Sequence, residues 1–501
     1  VTGNSEASAL LIPLCYTDAA LLDEPVQIAG EPILINGAFH RLSSAARSQL
    51  VSYGIKEKMP IVLKRDGSYN HLINGFLRSL PDNGCNSPLS WEAYARDLML
   101  FETFLIGQGC EEIGEALPHH FRAYRALRRH RTPGQKPVEA TTWDRQSSTL
   151  RQFFSWRSRE KKTINPYEPA KKARRPYGFY GDRRRGEGNT ASSSRLVKHI
   201  RLEDFRDFVN LGLCGSSDDN HPPEKLRMYL RNTAFAQLAV CTGLRLTENA
   251  ALLLAELGNF NETTSKVIPF EPGVMTTKGQ KHRRLFIPTS VLKGPIEKYC
   301  SLLRSNIVTS DVAMRHYSDN KHNWQHAALF GDRYFIDRVS KQRHEYHKLD
   351  VDQRKRLLDV SDGKYEPAML WLQENGQPAA NTTFSAAFER ANRLLETRYG
   401  KALGVSPHML RHTFAVYTLT GLIRRLTGSS KDLEKEKHRS SSSAYQELIG
   451  DPLRTLQRWL GHSSIDTTMI YLAYIDQNQD EIEHDFANWN RHIDQVWSIA
   501  K

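Results

Sequence analysis

The sequence predicts a mainly α-helical protein with a small antiparallel β-sheet, divided into a helical domain and a larger α+β domain. Three observations carry that prediction. Apolar residues recur at three- and four-residue steps in two separate regions, around 91–154 and after 226. β-Branched and aromatic pieces set apart by glycine gather between 266 and 287. A basic, non-periodic stretch rich in glycine and serine separates the two helical regions, as a linker would. A chain of 501 residues is also long for one compact core.

Residues 1–69 read as an N-terminal extension whose role the sequence does not give. Ile33 to Ile35 and Ile61 to Leu63 are strand candidates there. The apolar run Ala9 to Cys15 lacks a basic lead-in and is followed by Asp18 and Asp23, which argues against a secretory signal. No run reaches the roughly 18 to 20 apolar residues that span a bilayer, so no membrane partner and a soluble, intracellular protein are expected. Residues 70–170 are helical: Trp91, Tyr94, Ala95, Leu98, Phe101 and Leu105 form a stripe behind a cap at Ser90. A second helix carries Trp143, Ser147, Leu150, Phe153 and Phe154.

Residues 171–198 form the linker, with Lys171, Lys172, Arg174, Arg175, Arg183, Arg184 and Arg185 ahead of a serine run. It is either a solvated tether or a strap over a phosphate backbone. Counterion release by each neutralised phosphate favours the strap. The formal charge of +13, from 69 Lys plus Arg against 56 Asp plus Glu, points the same way, toward a polyanionic partner. Six scattered cysteines make neither a disulfide framework nor a zinc site.

From residue 199 a second domain runs to 501. Leu226, Leu230, Ala234 and Leu238 make a core stripe that leads into a turn at Thr242-Gly243, and a further helix is expected from Arg245 through Leu254. The pieces 266–270, 273–276 and 284–287 predict the antiparallel sheet, with Lys278 near a hairpin tip. Two polar stretches, 305–365 and 424–450, read as mobile surface insertions. An amphipathic segment with Ile482, Phe486, Trp489, Ile493, Val496 and Trp497 ends the chain.

Four local strings carry the chemistry: Cys241 to Glu248 containing Arg245, Thr276 to Lys281 containing Lys278, His408 to Ala415 containing Arg411, and Leu460 to His462 with Tyr471 nine residues beyond that histidine. Cutting a phosphodiester without a metal needs a nucleophile, a cationic clamp on the non-bridging oxygens and a proton donor for the leaving oxygen. Two arginines supply planar bidentate donors that match phosphate geometry. A tyrosine hydroxyl, whose ordinary pKa lies near 10, needs a cationic pocket or a proton acceptor to attack.

In order and spacing these strings resemble the catalytic domain of the tyrosine recombinase, or phage integrase, family. The resemblance implies an α+β catalytic domain over 199–501 preceded by a helical core-binding domain that grips DNA. It makes Tyr471 the nucleophile that forms a 3′-phosphotyrosyl link. Arg245 and Arg411 become the phosphate clamp, and Lys278, just before Gly279, the general acid. His408 is the expected proton acceptor and His462 a hydrogen-bond donor to phosphate, although the two histidines could exchange roles. Tyr474 shares a helical face with Tyr471 and is the decoy. Glu248 is read as an orienting partner of Arg245 or His408, Lys281 and Arg283 as DNA-backbone contacts, and His412 as structural or a backbone contact, pointing elsewhere on its helix.

The function so implied is a site-specific recombinase. It acts as a homotetramer on synapsed double-stranded DNA with specific recombination sites, passes through a Holliday junction, and uses no cofactor, neither metal nor ATP. Accessory DNA-bending proteins or a partner recombinase, a cytoplasmic, nucleoid-associated location and a prokaryotic or mobile-element origin belong to the same expectation. The C-terminal segment either closes its own core or docks into a neighbouring protomer. Alternatives are a type IB topoisomerase, which shares the cleavage chemistry, and a catalytically silent DNA-binding relative.

Overall fold

The computed structural model describes, in the main, residues 59–129, 137–167, 197–215, 227–427 and 451–489, together with Cys15–Tyr16. The chain divides into two units, residues 1–193 and 194–501. In the first, Cys15–Tyr16 (β1) pairs antiparallel with Pro60–Ile61 (β2). Four helices follow: His71–Ser79 (α1), Pro88–Ile106 (α2), Pro118–Arg129 (α3) and Ala140–Lys161 (α4). The expected stripe is buried: Trp91, Ala95, Leu98, Phe101 and Leu105 pack with Leu150, Phe153 and Phe154. α2 starts ahead of the expected cap at Ser90, with Ser87 at the cap and Pro88 in the first turn, where its missing N–H costs nothing. Met59 and Val62 lie in the same core, and the Asn74 side chain bonds both the N–H and the C=O of Val62 at 2.7 Å. The segment around residue 61 thus packs with the helices. The linker residues Lys171 to Arg185 lie outside the described residues.

The second unit begins with Leu202–Asp207 (α5), which widens into a π-helical turn over Phe208–Leu213. Tyr229–Thr242 (α6) is its central helix, with Ala234, Phe235 and Leu238 buried. Phe235 stacks on Phe384 at 3.7 Å between ring centroids, edge-on to Trp371. Leu246–Ala250 (α7) is shorter than expected. The chain leaves the helix there because Leu252 C=O and Leu254 N–H pair with Leu370 and Ala368. Val267–Phe270 (β3) and Leu285–Pro288 (β4) form the antiparallel hairpin, register Val267 to Pro288 through Phe270 to Leu285. The third expected strand is a 3-10 turn over Val274–Thr276, because the Thr276 and Thr277 hydroxyls bond back to Gly273 and Val274 carbonyls at 2.7 and 2.8 Å. Short helical segments run from Thr289–Val291 to Ser305–Val308.

The 305–365 stretch corrects the sequence expectation most. It contains Asp311–Asp319 (α8), Gln325–Phe330 (β5), Tyr334–Asp337 (β6), Arg343–Glu345 (β7), Val351–Arg356 (α9) and Leu357–Asp359 (β8). With Glu366–Pro367 (β9) the strands make a five-stranded sheet in the order β7-β6-β5-β8-β9, parallel at β5 and β8 and antiparallel elsewhere. Its Ala327, Phe335, Tyr346 and Leu357 share a core with Leu253 and Met369 outside the stretch. Arg354 bolts it down. The guanidinium is buried, pairs with Glu256 at 2.7 and 2.8 Å, and donates to the carbonyls of Ala251, Tyr346 and Leu349. The stretch looked mobile because it is polar and rich in charged residues, yet one of its arginines, Arg354, is internal.

Four helices close the unit: Asn381–Tyr399 (α10), Pro407–Thr427 (α11), Pro452–Leu460 (α12) and Asp466–Gln477 (α13). Residues 428–450 lie outside the described residues. Beyond α13, Phe486 and Trp489 bury in the main core of their own unit and Ile482 in the cluster around Tyr471. Among the described residues no helix is long and apolar enough to cross a membrane, and no group of His, Cys, Asp or Glu has the makings of a metal site.

Replacing Arg354 by Met would strand the buried Glu256 carboxylate and three carbonyls. A loss of about 3 to 5 kcal/mol of unfolding free energy is expected in urea titrations. A change under about 1 kcal/mol would mean the sheet is not anchored by this ion pair.

Candidate active site

The site grows out of three helix ends. α6 stops at Gly243, whose φ of +64° is left-handed, and a Cβ there would sit 2.3 Å from Phe414 Cδ1 on α11, so only glycine fits the turn. The turn delivers Arg245 as the residue capping α7. The Glu248 carboxylate, one helical turn on and buried, accepts both the Arg245 backbone N–H at 2.8 Å and its guanidinium at 2.9 Å. α12 ends likewise at Gly461, φ +65°, which releases the chain to His462. Its start is set by Asp451, whose carboxylate caps the N–H groups of Leu453 and Arg454.

α11 supplies the centre. His408, Arg411 and His412 stand at i, i+3 and i+4 and so share one face. Arg411 is 2% exposed. It donates to the Gly243 carbonyl at the end of α6 and to the Leu460 carbonyl at the end of α12. Both are carbonyls a helix C-terminus leaves unpaired, at the negative end of its dipole. Tyr471, on α13 and also 2% exposed, shares a hydrogen bond of 2.8 Å with Nδ1 of His412. The His408 ring packs edge-on against His412, centroids 4.3 Å apart, and the His462 ring lies parallel to Tyr471 at 6.3 Å. His462 Nδ1 meets the Thr468 hydroxyl at 3.0 Å.

Two sequence expectations are overturned. His412 does not point elsewhere: an i+4 step from His408 returns to the same face, and it is the histidine in contact with Tyr471. That spacing was the signal available in the sequence. Arg283 is not a surface cation. It is buried, paired with Glu248, and donates to the Trp459 carbonyl at 3.0 Å and to that of Leu460. Lys281 remains exposed, its main chain tied to the Thr277 hydroxyl. Lys278 is exposed on the turn with Gly279 between β3 and β4. Tyr474 faces another way and meets His199 Nδ1 at 2.8 Å.

The electrostatics mark an anion site. Three guanidiniums, those of Arg245, Arg283 and Arg411, surround one carboxylate, Glu248, an excess of two positive charges. Burial, then the neighbouring Arg245 and Arg283, lower the Arg411 pKa to about 9. Burial and the arginines push His462 down to about 3; burial with His408 and Arg411 pushes His412 to about 4, and His408 is lowered too. Burial lifts Tyr471 to about 12 even though Arg411 and Arg245 pull it down. At neutral pH the cluster therefore holds charged arginines, neutral imidazoles and an intact phenol. A tetrahedral oxyanion would relieve the cationic excess, and a phenol already beside a neutral imidazole can pass it a proton as it attacks.

Both units match family models of known proteins. Residues 73–161 match the phage integrase N-terminal SAM-like domain and residues 220–425 match the phage integrase family. Proteins described as integrase/recombinase from Escherichia coli and Pseudomonas aeruginosa are each 26% identical over 247 residues, 47% of this chain and 52% of theirs. The chain thus spans about half the length of these relatives. Among solved structures, the XerH site-specific recombinase bound to a palindromic difH substrate has a TM-score of 0.46 at 14% identity, covering 82% of each chain. The Tn1549 transposon integrase in complex with circular intermediate DNA has a TM-score of 0.40 at 14% identity, over 82% of this chain and 99% of that one.

The depressed histidines have a measurable consequence. Unfolded, each takes up a proton near pH 6.5; folded, His412 and His462 do so only near 4 and 3. The unfolded state binds more protons in that interval, so stability is full above about pH 6.5 and falls as the pH drops toward 4. Inorganic phosphate should lessen the fall by favouring the imidazolium forms. Urea titrations of the full chain across this range, with and without phosphate, check both, and a flat profile indifferent to phosphate contradicts the electrostatics described.

Proposed function

Because the chain belongs to the phage integrase family, we propose that it is a site-specific DNA recombinase, a tyrosine-type strand transferase working through a 3′-phosphotyrosyl intermediate. The observation that carries the proposal is the convergence of Arg245 and Arg411 with the Tyr471 phenol around a site holding more positive than negative charge. The scissile phosphate enters that site, and the two arginines hold its non-bridging oxygens as charge develops there. Tyr471 Oη bonds to phosphorus, its proton goes to the histidine cluster, and the bond from phosphorus to the 5′-oxygen breaks. His462 adds a hydrogen bond to the phosphate through the ring nitrogen that Thr468 does not engage. Lys278, brought in by its turn, protonates the 5′-oxygen.

The phosphotyrosine conserves the energy of the broken bond, so a 5′-hydroxyl from a partner strand rejoins the DNA without ATP, and the mechanism calls for no metal. Exchange of one strand pair makes a Holliday junction; the second pair resolves it. The assembly proposed for this chemistry is a homotetramer on two synapsed sites, which accessory DNA-bending proteins or a partner recombinase can join. Double-stranded DNA carrying specific recombination sites is the substrate, the helical first unit and the basic linker adding backbone contacts. Strand exchange between two-site plasmids, rather than relaxation of supercoils alone, separates this reading from a type IB topoisomerase.

A nicked suicide substrate tests the chemistry directly. Wild type should accumulate a covalent protein–DNA adduct, Tyr471→Phe should lose at least about 10³-fold of it, and Tyr474→Phe should stay within a few-fold. Loss of adduct with Tyr474→Phe alone would transfer the nucleophile to that residue; no adduct from wild type would leave a silent DNA-binding relative.

The two cations in the β3–β4 connection should part company. Lys281→Ala should weaken DNA binding and reduce the salt dependence of affinity by about one counterion. Arg283→Ala should chiefly destabilise the fold, by about 3 to 5 kcal/mol in urea titrations. A pure affinity defect in Arg283→Ala would return it to the DNA surface.

A further inference from the structure

The mechanism above leaves open which histidine takes the tyrosine proton, and the arrangement around Tyr471 bears on it. The phenol meets a ring nitrogen at hydrogen-bond distance on one described histidine, Nδ1 of His412 at 2.8 Å. His408 touches that histidine: its ring packs against His412 with centroids 4.3 Å apart and a plane angle of 70°. His462 is parallel to the phenol at 6.3 Å between centroids, a stacking separation, and its Nδ1 is engaged by Thr468. The groups facing His412 are His408 and Arg411 from its own helix, Tyr471 from α13 and His462 from the end of α12. None of these is acidic, so among the described residues no carboxylate is seen to compete for the proton.

We propose that His412 is the general base of the cleavage step, accepting the Tyr471 proton at Nδ1, with His408 as a positioning residue that fixes the His412 ring. The proposal rests on the strand-transferase reading. Bond by bond, the Tyr471 Oη–H proton passes to His412 Nδ1 while Oη bonds to phosphorus, and the electron pair of the breaking P–O bond leaves on the 5′-oxygen. That oxygen takes its proton from Lys278. In rejoining, the 5′-hydroxyl attacks, and the imidazolium of His412 returns its proton to the departing phenol. Such a role needs a neutral ring with its Nδ1 lone pair toward the phenol. Burial beside Arg411 and His408 keeps the ring neutral until phosphate arrives, since bound phosphate opposes the arginines and raises the affinity of His412 for a proton.

Asparagine separates basicity from placement, because its amide can keep a hydrogen bond to the phenol near the Nδ1 position but takes no proton. With wild type forming adduct on the suicide substrate, His412→Asn should form it about 10²-fold more slowly at saturating DNA, with unchanged DNA affinity and an unchanged urea midpoint. Added imidazole should partly restore His412→Ala. A substrate with sulfur in place of the scissile 5′-oxygen, which leaves without needing a proton, should rescue Lys278→Ala and not His412→Asn. Adduct formation by His412→Asn within about three-fold of wild type overturns the proposal, and so does its rescue by the sulfur substrate, which would put His412 on the leaving-group side. If the Asn variant does not fold, His412→Gln and the imidazole experiment decide on the same criteria. Failure of wild type itself to form adduct would instead overturn the recombinase reading.

Discussion

One buried guanidinium holds the second unit's chemistry together. Arg411 reaches from near the start of α11 to the last carbonyls of α6 and α12, satisfying acceptors that a helix end otherwise leaves bare. Each helix then turns through a left-handed glycine, and each turn hands over a polar residue: Arg245 after Gly243, His462 after Gly461. The residue that binds the helix ends is therefore the same residue whose charge makes the space between them attractive to an anion. Arg283 repeats the device from the β4 side, joining the α12 carbonyls to Glu248, which in turn holds Arg245. Stability and anion recognition share their atoms.

Much of this was legible in the sequence, for physical reasons that differ by residue. Arg245 and His462 follow turn glycines, Glu248 and Arg411 stand at helical spacing from Arg245 and His408, and Tyr471 lies nine residues beyond His462, so short strings brought them forward, and the structure gathers them. Arg283 was misread because a cation among Lys278, Lys281 and Arg284 looks solvated; its burial depends on carbonyls of α12 some 176 residues away. The 305–365 stretch was misread for a related reason. Its polar composition hides a core completed by Leu253 and Met369, and the buried pair of Arg354 and Glu256 spans 98 residues. Local periodicity reports which faces are apolar, not which distant group will desolvate a charge. His412 is different: its spacing from His408 was local and sufficient.

The resting state of the cluster follows from its burial. A phenol lifted to about 12 beside an imidazole lowered to about 4 shares a hydrogen bond without transferring the proton. The same arginines that would stabilise a phosphorane discourage protonation of the histidines while no phosphate is present. In the proposed strand transfer, substrate charge would then take part in catalysis, because it resets the proton affinities of the groups around it.

The grip on α6 and α12 is made wholly to main-chain oxygen: Arg411 and Arg283 touch Gly243, Trp459 and Leu460 through their carbonyls. Such a lock registers the path of the chain and is blind to the identity of the side chains at 459 and 460. Packing alone restricts those two letters, Leu460 being buried in the cluster of Tyr471 and Trp459 lying edge-on to Phe286, whereas lengthening or shortening either helix by one residue rotates the key oxygen away and opens the lock.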